Sequence, residues 1–143
     1  MTKKYAFISV FPEMYVPFLQ SGIVKKASDS GLIQIKCFNP RDFLNDRDRI
    51  DDKVYGGGPG MVFKSEPIQK CIKHTKDKFS GSSKVIHLSA SGETLTAQTA
   101  RELSKEDSLI FLSSRYEGLD QRVIDAEVDK EISICLLYTS PSP

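Results

Sequence analysis

Short apolar runs alternate with amphipathic segments along most of the chain, and this alternation predicts the order of its strands and helices. The run at positions 5–10 is too short for a helix and predicts a buried strand. The run at positions 32–38 predicts a second strand, because its apolar residues alternate with polar ones. Between the two strands, Ile23, Val24 and Ala27 recur at helical spacing, and Gly31 is a natural helix stop.

The second half of the chain continues the same pattern. Ser65, Glu66 and Pro67 form a good helix start, and the apolar stripe that follows extends at helical spacing to Phe79. Strands are predicted at positions 84–89 and 108–113, with a helix near 96–104 between them. A last helix near 119–129 precedes a short strand start at 132–134.

Strands that alternate with helices of about ten residues predict an α/β fold with a mainly parallel sheet, since parallel neighbours need crossover connections of that length. In open sheets of this kind, ligands bind at the carboxyl ends of the strands. The loops that follow Leu88 and Leu112 are therefore the candidate binding loops.

Composition narrows the class of protein further. The chain has 143 residues, 39% hydrophobic and 27% charged, which is ordinary for one soluble domain. It has no apolar stretch near the roughly 20 residues that cross a bilayer, and we expect a cytoplasmic protein. The cysteines, Cys37, Cys71 and Cys135, lie far apart, so we expect reduced thiols, at least two of them in the core, and no metal site.

Charge is uneven although the net charge is only +1. Positions 64–84 hold six lysines against Glu66 and Asp77, and positions 117–131 hold six carboxylates against Arg122 and Lys130. Two solvated helix faces explain this pattern, and a nucleic-acid surface is the alternative.

Familiar catalytic motifs are missing from the sequence. The first strand is followed by Phe11 and Pro12 rather than a G-x-G-x-x-G turn, which argues against a Rossmann methyltransferase. The Gly-rich stretch at 55–61 lacks the Lys-Ser/Thr pair of a P-loop and is either a hinge or a substrate-contacting loop. His74 and His87 are interpreted as packing or surface residues rather than general bases.

Several segments together closely resemble one family, the bacterial tRNA (guanine-N1)-methyltransferases of the knotted, SPOUT-type fold. The matching segments are SVFPEM at 9–14, PRDF at 40–43, DRDR at 46–49, Asp51-Asp52, YGGGPGM at 55–61, KVIHLS at 84–89, RYEG at 115–118 and DQRVI at 120–124. The resemblance implies a cytoplasmic homodimer that binds S-adenosyl-L-methionine within a trefoil knot. It also implies a tRNA substrate, methylated on N1 of the guanosine 3′ of the anticodon.

The resemblance also implies which residues form the sites. Three loops are expected to bind the cofactor, through Leu88, Ser89, Ala90, Gly92, Ser114, Tyr116, Glu117, Gly118, Ser133 and Ile134. Substrate contacts are expected from Pro59 and Gly60 in the Gly-rich stretch and from Arg41, Arg47 and Arg49. Ser114 stands where the family usually has Gly, which costs affinity if that position needs φ > 0.

The third loop departs from the family pattern. After Ile134 the chain continues as CLLYTSPSP, without the expected glycines and acidic residue. We therefore expect residues 1–134 to be an incomplete methyltransferase domain, residues 135–143 to be a foreign tail, and the knot-closing segment and C-terminal tRNA-binding domain to be absent. The family's catalytic Asp and Arg would lie beyond this chain, which is expected to be inactive alone.

Two other functions remain open at this point. One is a non-catalytic RNA-binding or dimerising module that uses the basic helix starting at Ser65. The other is a knotted RNA methyltransferase with a different target, which the YGGGPGM segment disfavours.

Overall fold

The computed structural model of the protein describes residues 2–44, 51–53, 61–63, 65–79, 81–113 and 119–134. In chain order the strands are β1 (Lys3–Ile8), β2 (Ile33–Phe38), β3 (Asp51–Lys53), β4 (Met61–Phe63), β5 (Ser83–Thr94), β6 (Ser108–Ser113) and β7 (Lys130–Ser133). The helices are α1 (Val16–Leu19), α2 (Gly22–Asp29), α3 (Ser65–Lys78), α4 (Ala97–Leu103) and α5 (Gln121–Glu127). Two 3₁₀ turns, Pro12–Tyr15 and Pro40–Phe43, follow β1 and β2.

Five strands form one sheet in the order β2-β1-β6-β5-β7, and every neighbouring pair is parallel. The predicted α/β class is therefore confirmed. A separate antiparallel pair, β3 with β4, was not predicted, because three-residue strands carry too little periodicity. It brings Lys53, which precedes the Gly-rich stretch, opposite Met61 at the end of that stretch, whose residues 55–60 lie outside the described ranges.

Apolar residues on both faces of the sheet are buried, which explains why the strands read as nearly continuous apolar runs. One face carries Ile8, Val85 and Ile110 against Ile68 and Ile72 of α3. The other face carries Ile86, Leu109 and Ile132, with Leu103 of α4 packed against them. Helices thus cover the sheet from both sides.

Helix α3 follows its predicted pattern. Ile68, Cys71, Ile72 and Thr75 are buried on one stripe, and Phe79 is buried just beyond the helix. Burial, followed by the charge of Asp42, raises the pKa of the Cys71 thiol to about 12. Cys71 is therefore a protonated packing group.

Two further expectations can be compared with the structure. Cys37 is only half-buried, so Cys71 is the core cysteine among the described residues, and Cys135 lies outside them. The first helical region consists of α1, which has Pro17 in its first turn and ends after four residues, and α2, which begins at Gly22. Gly31 ends that region with φ of 79°, as its stop position predicts.

In the described part of the chain, no helix combines the length and apolar character needed to cross a bilayer.

Candidate cofactor-binding site

The carboxyl ends of β5, β6 and β7, where the predicted binding segments follow in sequence, lie at one edge of the sheet. Because β5, β6 and β7 are parallel, their carboxyl ends point the same way. Leu88 of β5 lies opposite Ser113 of β6 on one side and opposite Ile132 of β7 on the other. Three residues that lie far apart in sequence, Leu88, Ser113 and Ile132, are therefore neighbours on adjacent strands near this edge.

The pairing of β5 with β7 is interrupted at this edge. Leu88 and Glu93 both lie opposite Ile132, so the four residues between them leave the ladder. We call this segment, residues 89–92, the β5 loop. The pairing resumes at Glu93 and continues with Thr94 opposite Ser133, and Leu95 N–H then donates to the Ser133 carbonyl at 3.0 Å.

This interruption differs from the expected geometry, in which the strand ended at Ser89 and a loop followed. The chain instead folds back onto β7, so β5 extends to Thr94. Inside the β5 loop, the Ser89 hydroxyl accepts a hydrogen bond from Ser91 N–H at 3.2 Å, which turns the chain locally. Leu88 and Ser89 are half-buried and Ala90 is exposed, so the start of the loop is accessible from solvent.

Gly92 lies where β5 returns to β7, and no larger residue fits there. A Cβ at this position would lie 2.6 Å from Glu131 C and from Ile132 N. Both are backbone atoms that cannot rotate away. Gly92 was expected at the site because of the cofactor, and the structure adds a packing reason for it.

A polar pair joins the two strands one residue before the interruption. His87 Nδ1 lies 2.9 Å from Glu131 Oε2, and the His87 side chain is 4% exposed. The interpretation of His87 as a packing residue is confirmed, but its carboxylate partner was missed. The period-2 pattern alone contains no signal that pairs these two strands in this register.

Ser133 supplies the one buried side-chain polar atom of the described residues that lacks a hydrogen-bond partner, its Oγ. The residue is 4% exposed and lies at the carboxyl end of β7. A buried hydroxyl without a partner typically costs about 1–3 kcal/mol. Such a group at this edge fits a site in which a ligand completes the hydrogen bonding. Ile134, the next predicted residue, is exposed at the same edge.

Tyr15 fixes the carboxyl end of β6 and was missed at the sequence level. Its hydroxyl lies 2.6 Å from Ser113 Oγ, and its ring stacks on Phe7 at 4.6 Å between centroids. Tyr15 comes from the 3₁₀ turn after β1, directly after the SVFPEM segment. The turn thereby holds the strand from which residues 114–118 depart.

Arg41 lies at the same edge of the sheet but on the β2 side. The Asn39 side chain accepts from Arg41 N–H at 2.9 Å, and the Arg41 guanidinium lies 5.3 Å from the centre of the Phe11 ring. Three strand spacings separate β2 from β5, which is about 15 Å. Arg41 is exposed and therefore accessible to a polyanion beside the cofactor loops.

Eight predicted site residues lie outside the described ranges. They are Ser114, Tyr116, Glu117 and Gly118 of the second cofactor loop, and Pro59, Gly60, Arg47 and Arg49 of the substrate group. Their roles stay predictions.

Two grooves lie away from this edge. One, of about 210 Å³, is lined by Lys84, Glu102 and Asp129 beside α4. The other, of about 460 Å³, runs between α3 and α5 and carries Lys70, Lys73, Lys76, Asp77 and Glu127. Its charges are mixed, and Lys70 is already paired with Glu66 at 2.8 Å, as expected for a solvated helix face.

This geometry defines a class of protein. It is an α/β domain with an all-parallel five-stranded sheet covered on both faces, and the carboxyl edge of that sheet is the candidate ligand site.

Comparison with known proteins identifies the family within that class. The profile of the family described as tRNA (Guanine-1)-methyltransferase TrmD matches residues 3–138. The chain belongs to this tRNA (guanine-1)-methyltransferase family.

Relatives and a solved structure agree with this assignment. The chain is 43% identical over 131 residues to a tRNA (guanine-N(1)-)-methyltransferase of Pseudoalteromonas atlantica, covering 91% of this chain and 49% of the relative. It is 46% identical over 128 residues to one of Aeromonas hydrophila, covering 89% and 51%. The crystal structure of tRNA (m1G37) methyltransferase from Aquifex aeolicus matches with a TM-score of 0.84 at 32% identity, covering 94% of this chain and 61% of that one. The predicted SPOUT-type fold is thereby confirmed.

The chain spans about half the length of the curated relatives it matches.

Proposed function

We propose that this chain forms the cofactor-binding part of a tRNA (guanine-N1)-methyltransferase that uses S-adenosyl-L-methionine. The proposed product is tRNA methylated on N1 of the guanosine 3′ of the anticodon, which places the reaction in the bacterial cytoplasm. Family membership and the ligand site at the carboxyl edge support this proposal.

The unpartnered Ser133 hydroxyl is the observation that carries the proposal. It lies buried beside the β5 loop, at an edge where backbone N–H and C=O groups leave the β-ladder. An adenosine ligand offers hydroxyl groups and ring nitrogens that satisfy such groups. The residues present therefore fit this cofactor.

The cofactor-holding residues follow from this arrangement and from the family resemblance. Backbone and small side chains would hold the nucleoside, and they come from Leu88, Ser89, Ala90, Gly92, Ser133 and Ile134. Ser114, Tyr116, Glu117 and Gly118 would complete the pocket from the β6 side. When bound, the cofactor supplies an electrophilic methyl group on a sulfonium centre.

The RNA would lie on the β2 side of the same edge. Arg41, Arg47 and Arg49 would neutralise backbone phosphates, while Pro59 and Gly60 would meet the target base. Neutral guanine N1 is a poor nucleophile, so a carboxylate is needed to remove its proton. We assign no catalytic residue to this chain, and we propose a homodimer as the working assembly.

Calorimetric titration with S-adenosylmethionine, together with a gel shift on unmodified tRNA, tests the proposal. Saturable cofactor binding to the purified chain is the expected result. RNA binding without any cofactor binding would contradict it and would favour the non-catalytic module, for which the lysines along α3 are the competing feature.

A further inference from the structure

The β5 loop is anchored at both ends on the same residue of β7. Before the loop, His87 Nδ1 lies 2.9 Å from the Glu131 carboxylate. After the loop, Gly92 packs so closely on the Glu131 backbone that a Cβ there would lie 2.7 Å from the Glu131 carbonyl oxygen. Glu131 therefore holds the start of the loop through its side chain and the end through its main chain.

The contact of His87 with Glu131 places a buried polar side chain among apolar core residues of the sheet. His87 faces Val85 and Leu112 on the side of the sheet that α3 and α5 cover, and it is almost fully buried. An apolar residue of similar size would pack there without needing a partner. A buried hydrogen bond instead fixes one orientation of the ring and one register of the two strands.

We propose that His87 and Glu131 form a positioning pair that sets the conformation of the β5 loop for cofactor binding. The pair acts through the loop and does not touch the cofactor. This inference rests on the proposed function, because the loop matters only if it lines the cofactor site.

A second polar pair joins the same two strands and provides a matched control. Lys130 Nζ lies 3.0 Å from Glu93 Oε1, at the point where the β5 loop returns to the ladder. Both side chains are substantially exposed, so water and salt screen their attraction. We expect this pair to contribute little to the loop conformation.

The experiment compares three substitutions in the purified chain. Glu131→Ala removes the carboxylate, Glu131→Gln keeps an oxygen that accepts the same hydrogen bond, and Glu93→Ala removes the control pair. The Glu131 side chain is about one-third exposed, which favours folding of its variants. Affinity for S-adenosylmethionine is measured by calorimetry, and amide hydrogen exchange is measured for the β5 loop and for β1 and β6.

Glu131→Ala is expected to weaken cofactor binding about tenfold, the order of effect of losing one hydrogen bond to a charged group. Exchange should accelerate in the β5 loop and stay unchanged in β1 and β6. Glu131→Gln should restore affinity to within about threefold of the parent, and Glu93→Ala should change it less than about twofold. His87→Phe, which keeps an aromatic ring but lacks Nδ1, should repeat the Glu131→Ala result.

Unchanged affinity and unchanged loop exchange in Glu131→Ala would overturn the inference. Faster exchange across the whole sheet would also overturn it, because the pair would then stabilise the fold in general. If the parent chain binds no S-adenosylmethionine, the proposed function fails, and the exchange measurements alone decide whether the pair positions the loop.

Discussion

The two lateral ends of the sheet, β2 with β1 on one side and β5 with β7 on the other, are built differently. At one end, β1 and β2 pair through six consecutive residues without interruption, from Lys3 with Ile33 to Ile8 with Phe38. At the other end, the pairing of β5 with β7 breaks between Leu88 and Glu93. The broken end also carries the buried polar pair and the unpartnered hydroxyl.

In the proposed function, this difference separates the part of the sheet that maintains the fold from the part that binds the cofactor. A regular ladder satisfies its own backbone groups and leaves nothing for a ligand. An interrupted ladder frees backbone N–H and C=O groups, and the proposed site uses this departure from regular pairing. Substitutions at the two ends should therefore separate stability from affinity.

The largest effect on stability is expected from Ile8→Ala at the regular end. Ile8 is fully buried at the carboxyl end of β1, and truncation of such a residue costs about 2–5 kcal/mol. Urea unfolding measures the loss. Affinity of the folded variant for S-adenosylmethionine should stay within about twofold of the parent value. A tenfold loss of affinity would show that β1 also contributes to the cofactor site.

Gly92→Ala should lower both the stability of the fold and the affinity for S-adenosylmethionine. Overpacking against the Glu131 and Ile132 backbone is expected to cost about 1–3 kcal/mol and to displace the β5 loop, so cofactor affinity should also fall. Gly31→Ala is the matched control near β2, because Gly31 has φ of 79° but a Cβ added there would meet no atom within 4 Å. That control should cost about 1 kcal/mol and leave affinity unchanged. Equal affinity for S-adenosylmethionine in Gly92→Ala and Gly31→Ala would show that Gly92 does not contribute to the cofactor site.

The smallest effect concerns the start of α5. Asp120 accepts a hydrogen bond from Arg122 N–H at 2.9 Å, and the hydrogen bonds from Arg122 lower the pKa of its carboxyl group. A carboxyl group whose pKa is lowered on folding stabilises the protein at pH values above its unfolded pKa of about 4. This contribution is lost as the pH falls through the folded-state pKa.

Asp120→Ala should therefore cost about 0.5–1 kcal/mol at neutral pH, through the helix cap and the exposed ion pair. The difference from the parent protein should shrink as pH falls through the folded-state pKa. Thermal unfolding between about pH 7 and pH 3 measures it. A difference that grows with acidity would show that the charge of Asp120 is unfavourable in the folded state.

The fold could be predicted from sequence largely because its signals are local. The stripe of α3 and the apolar runs of β5 and β6 each place an element without reference to the rest of the chain. The site could be predicted only in part. The position of residue Leu88 at the carboxyl edge followed from the rule that parallel strands end at a common edge, but the extension of β5 to Thr94 did not, and the binding role of the loop stays a prediction.

What the sequence did not reveal depends on register and on contacts between distant segments. The return of β5 to β7 brings Gly92 against Glu131, almost 40 residues away, and no local pattern contains that contact. The contact of Tyr15 with Ser113 has the same origin. The identity of the expected cofactor came from the family resemblance, because periodicity and composition carry no information about it.

A pair of buried serines tests the central claim most directly. Ser133 lies at the carboxyl end of β7 and Ser108 at the amino end of β6, and both are nearly inaccessible. Of the two hydroxyls, only that of Ser108 has hydrogen-bond partners among the described residues, Ser83 Oγ at 2.8 Å and the Ser82 carbonyl at 3.1 Å. The measurement is S-adenosylmethionine affinity and unfolding free energy for Ser133→Ala and Ser108→Ala.

Ser133→Ala should leave stability unchanged or raise it by about 1 kcal/mol, because it removes an unsatisfied polar group, and should weaken cofactor binding about tenfold. Ser108→Ala should lower stability by about 1 kcal/mol and leave affinity unchanged. Unchanged cofactor affinity in Ser133→Ala would contradict the claim that this edge of the sheet is built to bind the methyl donor.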